Sequence, residues 1–362
     1  MTKREAQIYE WICHNPLITQ EEIAERAGIT RSSVGVHISN LMKKGFLAGK
    51  GYILSKPGYY LVLGGANIDI GARPNKSLIS NDSNPGTVFT SFGGVGRNIA
   101  HNMAKMALPV KFISAFGDDL YAEKLFESLN KLGIDFSASL FAHGRSTSTY
   151  LYINDQNGDL SLAVADMQIY DLIDKQFLSE KLELINSAKA VYIDTNLTEE
   201  LLDYLTTNCT VPIFCDPVSC SKAHKIAPFL GKLHTVCPNK AEASAISGIE
   251  IVDDKSLKEA AEKMIKTGLK RVFITLGPEG IFCMDSENSF KLPSIAKKIV
   301  NTSGAGDSFA AALALSFDRG LNLLDTAKVG LAAAAICCES ESTINELICE
   351  DEILSRAGLN QK

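Results

Sequence analysis

The residues from Ser303 to Asp307, Ser-Gly-Ala-Gly-Asp, are suited to phosphate chemistry, and a helix-forming run of small and apolar residues follows at once. Glycines that open a helix leave backbone N–H groups free at the positive end of the helix dipole, where anions bind. A carboxylate such as Asp307 is costly inside an anion site unless it acts there, for example as the base for an alcohol that attacks a phosphate. The plain alternative is a glycine turn that carries a solvated Asp.

A second glycine cluster lies upstream, in the run Phe-Gly-Gly-Val-Gly-Arg-Asn of residues 92–98. Asn98 falls in the first turn of the helix that follows, where a side-chain amide both donates hydrogen bonds to hydroxyls and accepts them. The cluster does not fit the dinucleotide-binding fingerprint, which needs a preceding strand and a later acidic residue at a set spacing. The sequence contains no G-x-x-x-x-G-K-[ST] run, which excludes an ordinary P-loop ATPase.

Taken together, the two motifs resemble the signatures of the PfkB (ribokinase-like) carbohydrate and nucleoside kinases. Three further segments are similar to motifs of that family and occur in the same order. They are Gly-Gly-Ala-Asn-Ile-Asp at 64–69, Pro-Asn-Lys-Ala-Glu at 238–242 and Thr-Leu-Gly-Pro-Glu-Gly at 275–280. The resemblance covers residues 60 to about 350 and implies an ATP-dependent kinase.

Within this family the chain resembles pseudouridine kinases in the runs 83–86, 146–151, 162–167 and 216–219. It departs from their pattern at Ala165, where they carry Asn before the Asp, and this departure leaves the exact nucleoside open. A kinase for another ribosyl compound or a simple sugar is one alternative. Another is a transcription regulator whose kinase-like part only senses a nucleoside, but a pure sensor need not keep the base and metal motifs.

The resemblance implies a role for each motif. Asp307 would be the catalytic base, and four backbone N–H groups would hold the developing charge on the γ-phosphate: those of Gly304, Ala305, Gly306 and Asp307 itself. Asp69 and Asn98 would clamp a ribose diol. The other substrate-binding residues would be Asn67, Gly93, Gly94, Thr149 and Asp166. The ATP-binding residues would be Asn239, Thr275, Gly277, Gly280, Thr302, Gly304 and Asn345.

The same resemblance implies sites for two metal ions. Glu242 is similar to the family residue that holds Mg²⁺ through water, its alternative being an exposed helix Glu. Asn301 stands where many family members carry an Asp that helps to bind a monovalent cation. An amide oxygen still coordinates K⁺ but carries no charge, so activation by K⁺ stays open.

The first 56 residues form a separate pattern of three helices, expected over Lys3 to His14, over Glu21 to Ala27 and from Thr30 onward. Thr19 and Glu22 are spaced as a capping box. Residues 47–54 predict a tight hairpin with Gly at its turn. This order resembles the winged helix-turn-helix heads of bacterial regulators, which implies that residues 1–56 bind duplex DNA.

In such heads the second helix of the motif enters the major groove and the wing meets phosphates. The residues that would face the DNA bases are Arg31, Ser32, Ser33 and His37, and those that would touch the DNA backbone are Lys43, Lys44 and Lys50. Residues 1–56 carry a charge of +3 in a chain of net charge −6, which points to an anionic partner for this part alone. We expect a homodimer on a palindromic site; the alternative is a small packing or dimerisation module.

From Tyr59 onward, short apolar runs alternate with helical stretches. Strands are predicted at 60–63, 110–114, 190–194, 211–216, 235–237 and 272–276, and helices at 121–131, 199–205, 257–267, 305–317 and 323–338. This alternation predicts an α/β domain over residues 57–362, with a mainly parallel sheet covered by helices on both faces. Residues 148–164 instead predict a β-hairpin around Asn157-Gly158, which the resembled family uses as a lid over the sugar.

The composition, with 46% hydrophobic and 22% charged residues, is that of an ordinary globular protein. No apolar run reaches the length that crosses a bilayer, and no apolar stretch of the signal-peptide kind follows the charged start. Nine cysteines without a regular spacing predict reduced thiols in a cytoplasmic protein. A zinc site built from Cys215, Cys220 and His234 is the alternative.

Overall fold

Two units make up the computed structural model, which describes residues 1–15, 17–47 and 58–359. The first unit is Met1–Gly58, here called the head, and the second is Tyr59–Lys362, here called the body. Among the described helices, none is long and apolar enough to cross a membrane.

The described part of the head contains three helices: α1 (Lys3–His14), α2 (Gln20–Ala27) and α3 (Arg31–Lys43). The predicted capping box of Thr19 and Glu22 opens α2, and Gly28 ends it in the left-handed conformation, with φ of 61°. A small core of aliphatic side chains joins the three helices: Ile8, Ile12, Ile18, Ile23, Val34, Ile38, Leu41 and Leu47. The helical predictions for this segment are therefore confirmed, whereas the hairpin predicted at 47–54 lies, apart from Leu47, outside the described residues.

Eight strands of the body form its main sheet: β1 (Tyr60–Leu63), β4 (Val110–Ile113), β9 (Ala190–Asp194), β10 (Ile213–Asp216), β11 (Thr235–Val236), β12 (Arg271–Thr275), β13 (Ile281–Asp285) and β14 (Ser289–Leu292). They lie in the order β14-β13-β12-β11-β10-β9-β1-β4. The six strands from β12 to β4 are parallel, and β13 and β14 continue the sheet antiparallel at one edge. All parallel strands thus end at the same edge of the sheet.

Helices cover both faces of this sheet: α4 (Val95–Lys105), α5 (Leu120–Lys131), α6 (Lys175–Glu180), α7 (Leu182–Asn186), α8 (Glu199–Asn208), α9 (Cys220–Ala223), α10 (Lys240–Ser247), α11 (Asp254–Lys266), α12 (Ala305–Asp318), α13 (Leu323–Cys338) and α14 (Glu350–Arg356). Three 3₁₀ helices complete the body: Gln168–Leu172, His224–Lys232 and Gly277–Glu279. Alternate residues of β1 divide between two cores. Tyr60 and Val62 pack in the core that contains α4, α12 and α13, and Leu61 and Leu63 pack in the core that contains α8 and α11.

A second sheet of four strands, here called the lid, has the order β3-β2-β7-β8. Its strands are β2 (Asn67–Pro74), β3 (Gly86–Gly93), β7 (Thr149–Asn154) and β8 (Leu160–Asp166), and a small parallel pair is formed by β5 (Ala115–Phe116) and β6 (Leu140–Phe141). The predicted hairpin is the pair β7 and β8. The other half of the lid was not predicted, because residues 67–74 and 86–93 border glycine motifs that were interpreted only as loops.

Candidate active site

The carboxyl ends of β1, β9 and β10 lead into polar residues at one edge of the main sheet, the usual place for a ligand in an open α/β sheet. Asp194, the last residue of β9, accepts hydrogen bonds from the backbone N–H groups of Gly65 at 2.7 Å and Gly96 at 3.2 Å. The first bond holds the turn after β1 and the second holds the first turn of α4. Asp194 therefore fixes two of the glycine motifs to the same point.

Glycine is required where α4 meets the end of β1. A Cβ atom on Gly96 would lie 2.8 Å from the Cα of Gly64, and one on Gly64 would lie 2.4 Å from Asp194 Oδ2. Gly94, the N-cap of α4, has a backbone φ of 94°, which residues other than glycine rarely adopt. The close approach brings the side chains of the first turn of α4 over the edge of the sheet.

Asp307 lies in the first turn of α12, and Asn98 Nδ2 donates a hydrogen bond of 2.8 Å to its Oδ2. Burial raises the pKa of Asp307 to about 7; the charges of Asp194 and Asp69 act in the same direction, and Asn98 and Arg97 oppose them. Protein atoms surround the carboxyl group, although part of the side chain still reaches solvent. A carboxylate with a pKa near the working pH is well suited to take a proton from an alcohol and release it again.

The start of α12 has the form of an anion site. Gly304 is the N-cap with φ of 81°, and a Cβ atom there would lie 2.2 Å from the carbonyl oxygen of Thr343. At Gly306, by contrast, a Cβ atom would meet no atom of the described residues within 4 Å apart from its chain neighbours and the backbone of α12 itself, so a ligand can approach the backbone. The N–H of Ala305 donates to Thr302 at 3.3 Å, and the N–H groups of Gly306 and Asp307 have no acceptor within an α-helix.

Asp69 faces this site from strand β2 of the lid. Asn67 Nδ2 donates to Asp69 Oδ1 at 2.6 Å, and a Cβ atom on Gly93 would lie 2.3 Å from the same oxygen. Among the described residues, no donor reaches Asp69 Oδ2, which leaves that oxygen for a ligand hydroxyl. Burial raises the pKa of Asp69 to about 6, against the hydrogen bond from Asn67 and the charge of Arg97. Asn98, which was predicted to clamp the diol together with Asp69, directs its amide NH₂ group toward Asp307.

The pairing register of β2, β7 and β8 places the predicted substrate-binding residues on two different faces of the lid. Asp69 pairs with Tyr150 on β7, which pairs with Ala165 on β8. Residues paired across strands share a face, so these three share one face of the lid. Thr149 and Asp166 pair with each other in the next register position and therefore belong to the opposite face. The structure thus places Asp69 on one face and Thr149 and Asp166 on the other.

Three aromatic side chains share the face of Asp69 and were not singled out from the sequence. Phe89 and Tyr152 meet edge to face with their ring centroids 6.1 Å apart, and Tyr150 and Tyr152 are 5.7 Å apart. Phe89 and Tyr152 meet over Gly71, where a Cβ atom would lie 2.4 Å from Phe89 and 2.8 Å from Tyr152. The lid therefore offers ring surface on the face that carries Asp69.

A cleft of about 220 Å³ lies between the loop after β12 and the helices α12 and α13. Four predicted nucleotide residues line it, namely Thr275, Gly277, Gly280 and Thr302, together with Ala305 and Gly306 from the anion site and apolar residues of α12 and α13. Asn345 does not line this cleft. Its Nδ2 donates to the carbonyl of Ile336 at 2.6 Å and its Oδ1 accepts from the N–H of Leu347, so it fastens the segment after α13.

Asn239 and Glu242 form a capping box at the start of α10. Each backbone N–H donates to the side chain of the other residue at 2.9 Å. Glu242 is buried, not exposed on a helix, and burial raises its pKa. Asp216 lies at the end of β10, in the run 216–219 that resembles pseudouridine kinases, and no role was predicted for it. Burial, followed by the charge of Asp307, raises the pKa of Asp216 well above its usual range. These hard oxygen ligands suit Mg²⁺.

Direct metal coordination is not found among the described residues, where no three His, Cys, Asp or Glu side chains come close enough to hold an ion. The same finding rules out the zinc site considered for Cys215, Cys220 and His234. Asn301, the candidate K⁺ residue, donates to the carbonyl of Glu341 and accepts from the N–H of Ser303, each at 2.9 Å.

The predicted DNA-binding residues of the head lie on or beside α3. Arg31 is 67% exposed and forms an ion pair of 2.8 Å with Glu21. The hydroxyls of Ser32 and Ser33 each lie 2.9 Å from the hydroxyl of the N-cap residue Thr30. Lys44 pairs with Glu5 at 2.7 Å, and Lys50 lies outside the described residues.

His37 is half-buried, and its Nδ1 is buried without a partner among the described residues. The exposed stripe of α3 runs instead through Ser32, Val36, Ser39 and Lys43. Val36 is 60% exposed at the centre of this stripe. An apolar side chain there is suited to contact a thymine methyl group in the major groove. Helical spacing from Ser32 is the signal that finds it in the sequence.

Comparison with known proteins agrees with both units. Residues 58–348 match the pfkB family carbohydrate kinase, and residues 1–48 match the winged helix-turn-helix DNA-binding family. The chain is 37% identical to the uncharacterized sugar kinase YeiI of Escherichia coli K12, over 98% of this chain and 99% of that protein. It is 34% identical to the pseudouridine kinase of the same organism, over 78% of this chain and 91% of that protein.

Among solved structures, the ribokinase of Arabidopsis thaliana, complexed with ribose and ATP, superposes with a TM-score of 0.76 at 21% identity, over 83% of this chain and 99% of that chain. This likeness shows the fold. The identity to the two bacterial kinases and the match over most of the body show the family. The chain belongs to the pfkB family of ATP-using carbohydrate and nucleoside kinases and carries a winged helix-turn-helix domain at its N-terminus.

Proposed function

We propose that the enzyme transfers the γ-phosphoryl group of ATP to the 5′-hydroxyl of a ribonucleoside, and that this nucleoside is pseudouridine. The observation that carries the proposal is the hydrogen bond between Asn98 and Asp307 at the open start of α12, with Asp69 facing the same site from the lid. The 34% identity to a pseudouridine kinase supports the choice of nucleoside.

In this reaction Asp307 accepts the proton of the 5′-hydroxyl as its oxygen forms a bond to the γ-phosphorus. The bond from that phosphorus to the bridging oxygen breaks, and ADP leaves. The N–H groups of Gly306 and Asp307 point to where charge develops on the phosphoryl oxygens, and such preorganised donors are a large part of phosphoryl-transfer catalysis. Asp307 then returns the proton to solvent. The cleft beside Thr275 and Thr302 holds the adenosine of ATP.

Glu242 would hold Mg²⁺ through water, and the bound ion would supply positive charge against the phosphates. Asn239 fixes the start of α10 and keeps the carboxylate of Glu242 in place through the capping box. Asp69 selects a ribose diol through its free Oδ2. Asn67 orients that carboxylate from behind.

The aromatic face of the lid favours a nucleoside over a simple sugar. Phe89, Tyr150 and Tyr152 share a face with Asp69, so a base attached to a ribose held at Asp69 meets ring surface. Stacking of a base on an aromatic side chain is worth about 1–3 kcal/mol in nucleic-acid complexes. Ala165 on the same face leaves space beside Tyr150.

The head adds a second function, binding of duplex DNA as a homodimer on a palindromic site. The match of residues 1–48 and the exposed stripe through Val36 on α3 support it. A regulator that only senses a nucleoside is the competing proposal. It does not explain why Asp307 and Glu242 keep buried carboxylates at the site.

A coupled assay of ADP release tests the substrate. The panel is pseudouridine, uridine, inosine, guanosine, ribose and fructose, each with ATP and Mg²⁺. We expect the highest kcat/KM for pseudouridine, with ribonucleosides above free sugars. A preference for a free sugar would overturn the nucleoside, and no ADP release with any compound would favour the sensor.

A further inference from the structure

Arg97 is the most deeply buried cation of the site, with 3% of its surface exposed. It follows the glycine motif on α4, and its guanidinium carbon lies 4.7 Å from the centre of the Phe92 ring on β3. Nη2 lies 3.2 Å from both His101 Nδ1 and Ser128 Oγ, which hold it from the side of α4 and α5. The family motif accounts for the glycines and for Asn98 but gives Arg97 no role.

The remaining contact of Arg97 points toward the reacting groups. Nη1 donates a hydrogen bond of 3.0 Å to Asn98 Oδ1. An amide whose oxygen is held in this way must present its NH₂ group on the other side, and Asn98 Nδ2 donates to Asp307 Oδ2 at 2.8 Å. The three side chains form one chain of hydrogen bonds that ends on the catalytic base.

The burial of Arg97 also carries a free-energy cost, because one of its hydrogen-bond donors is left without an acceptor. Its Nε is buried and has no partner among the described residues. Buried donors are nearly always satisfied, and exceptions need a reason such as a catalytic role. A guanidinium is the side chain that keeps its charge under such burial, because its pKa is the highest of the ordinary groups.

We propose that Arg97 is a positioning residue, which locks the Asn98 amide toward Asp307 and supplies a fixed positive charge that favours the ionised form of the base. The proposal rests on the proposed function for its kinetic consequences. The electrostatic part concerns the protein alone and is measurable without a substrate.

The groups that face Asp307 come from every element around it. Asp69 on β2, Asp194 on β9 and Asp216 on β10 are acidic, and Arg97 on α4 is the cation among them. The thiols near it are Cys237 after β11 and Cys337 on α13.

His101, the other titratable neighbour of Arg97, has its pKa lowered to about 4 by burial and by Arg97, so it is neutral at pH 7. The next charged groups beyond it are Lys105 and Glu346. Those two form an ion pair with each other at 2.7 Å. Removal of Arg97 therefore takes away the positive charge that opposes the charges of Asp194 and Asp69 at Asp307.

The test compares Arg97→Met, which removes charge and hydrogen bonds, with Arg97→Lys, which keeps the charge but loses the planar fork. Carbon-13 NMR of the Asp carboxyl groups reports the pKa of Asp307, whose signal is assigned by its loss in Asp307→Asn. We expect Arg97→Met to raise this pKa by about one unit or more. We expect both variants to lower kcat, by about 10²-fold in Arg97→Met, because the base is misplaced.

Arg97→Lys is expected to leave the pKa of Asp307 near the wild-type value while kcat still falls, which separates charge from orientation. Ser128→Ala is the matched control, since it removes a partner of Arg97 on the far side and leaves the charge in place. An unchanged pKa in Arg97→Met, or an unchanged kcat in both Arg97 variants, would overturn the proposal. If the wild-type enzyme phosphorylates no nucleoside, the proposed function fails, while the NMR titration still decides the electrostatic role of Arg97.

Discussion

The body and the head hold their charged groups in opposite ways. Around the start of α12, carboxylates are buried against one another, and burial raises the pKa of Asp307 to about 7 and of Asp69 to about 6. On α3 of the head, Arg31 is exposed and pairs with another exposed side chain. Groups of perturbed pKa mark chemistry that the chain performs itself, whereas an exposed polar stripe obtains its partners from a bound molecule. The first region is built for catalysis and the second for recognition.

The largest effect is expected for Asp307→Asn, which tests the catalytic role of the body. The amide keeps the size of the side chain but takes no proton, so kcat is expected to fall by about 10² to 10⁴-fold with little change in KM for the nucleoside. Glu262→Gln on the surface of α11 is the matched control for loss of one carboxylate. Steady-state kinetics measures both. A near-normal kcat in Asp307→Asn would remove this residue as the base.

A second test sharpens the role of the lid. In the proposed reaction the free Oδ2 of Asp69 accepts from a ribose hydroxyl, so a 2′-deoxynucleoside would leave a partly buried carboxylate without its partner. The loss is about 1–3 kcal/mol, or roughly 10- to 100-fold in kcat/KM. The measurement compares each ribonucleoside with its 2′-deoxy analogue. Equal kcat/KM for the two would show that Asp69 does not bind the diol.

The head is tested by separating base contacts from phosphate contacts. Arg31→Ala is expected to cost about 1–3 kcal/mol on the specific site and to relax the preference at one base pair. Lys50→Ala is expected to weaken all sequences about equally and to flatten the salt dependence by about one unit. Fluorescence anisotropy with the upstream region and a scrambled duplex measures both. Undetectable binding to either duplex would leave the head as a packing module.

The smallest expected effect concerns Glu5, the one charged group that is buried among the described residues of the head. Glu5 is 2% exposed, and the hydrogen bond from Lys44 lowers its pKa to about 2. A carboxylate with a lowered folded pKa contributes stability above its unfolded pKa and loses it as the pH falls toward the folded value. We expect Lys44→Met to lower the melting temperature of the head at pH 7, and the difference from wild type to shrink as the pH approaches 2.

Trp11 is the only tryptophan of the chain and lies on α1, so its fluorescence reports the unfolding of the head alone. Lys43→Met, which removes the neighbouring exposed lysine, is the control and is expected to change little. A difference between Lys44→Met and wild type that stays constant from pH 7 to pH 2 would show that the ion pair does not set the pKa of Glu5.

The sequence predicts what is local. Strands β1 and β9 are short apolar runs between turns and were predicted with the bounds that the structure shows, as was α1. The edge strands β13 and β14 and the strands β2 and β3 of the lid were not predicted. Strand β3 is exposed along most of its length, and β2 begins inside a glycine motif, so neither shows the alternation of a half-buried strand.

Contacts between distant segments are what the sequence does not predict. Asn98 and Asp307 are separated by 209 positions, and the partners of Arg97 include Ser128 on another helix. The sequence motifs indicate that Asn98 and Asp307 are both functional, but they do not predict that the two side chains form a hydrogen bond. On α3 the buried stripe of Val34, Ile38 and Leu41 turns His37 partly inward, and only its packing against the other helices shows this.

Phosphorus-31 NMR of the reaction of the wild-type enzyme with ATP, Mg²⁺ and pseudouridine tests the central claim most directly. The account predicts that a phosphomonoester signal grows as ATP is converted to ADP. Its phosphorus couples to the two 5′-methylene protons of the ribose, and the signal is lost in Asp307→Asn. Coupling to a single ring proton of the ribose would contradict transfer to the 5′-hydroxyl. Formation of inorganic phosphate and ADP without a phosphomonoester signal would contradict a kinase for this nucleoside.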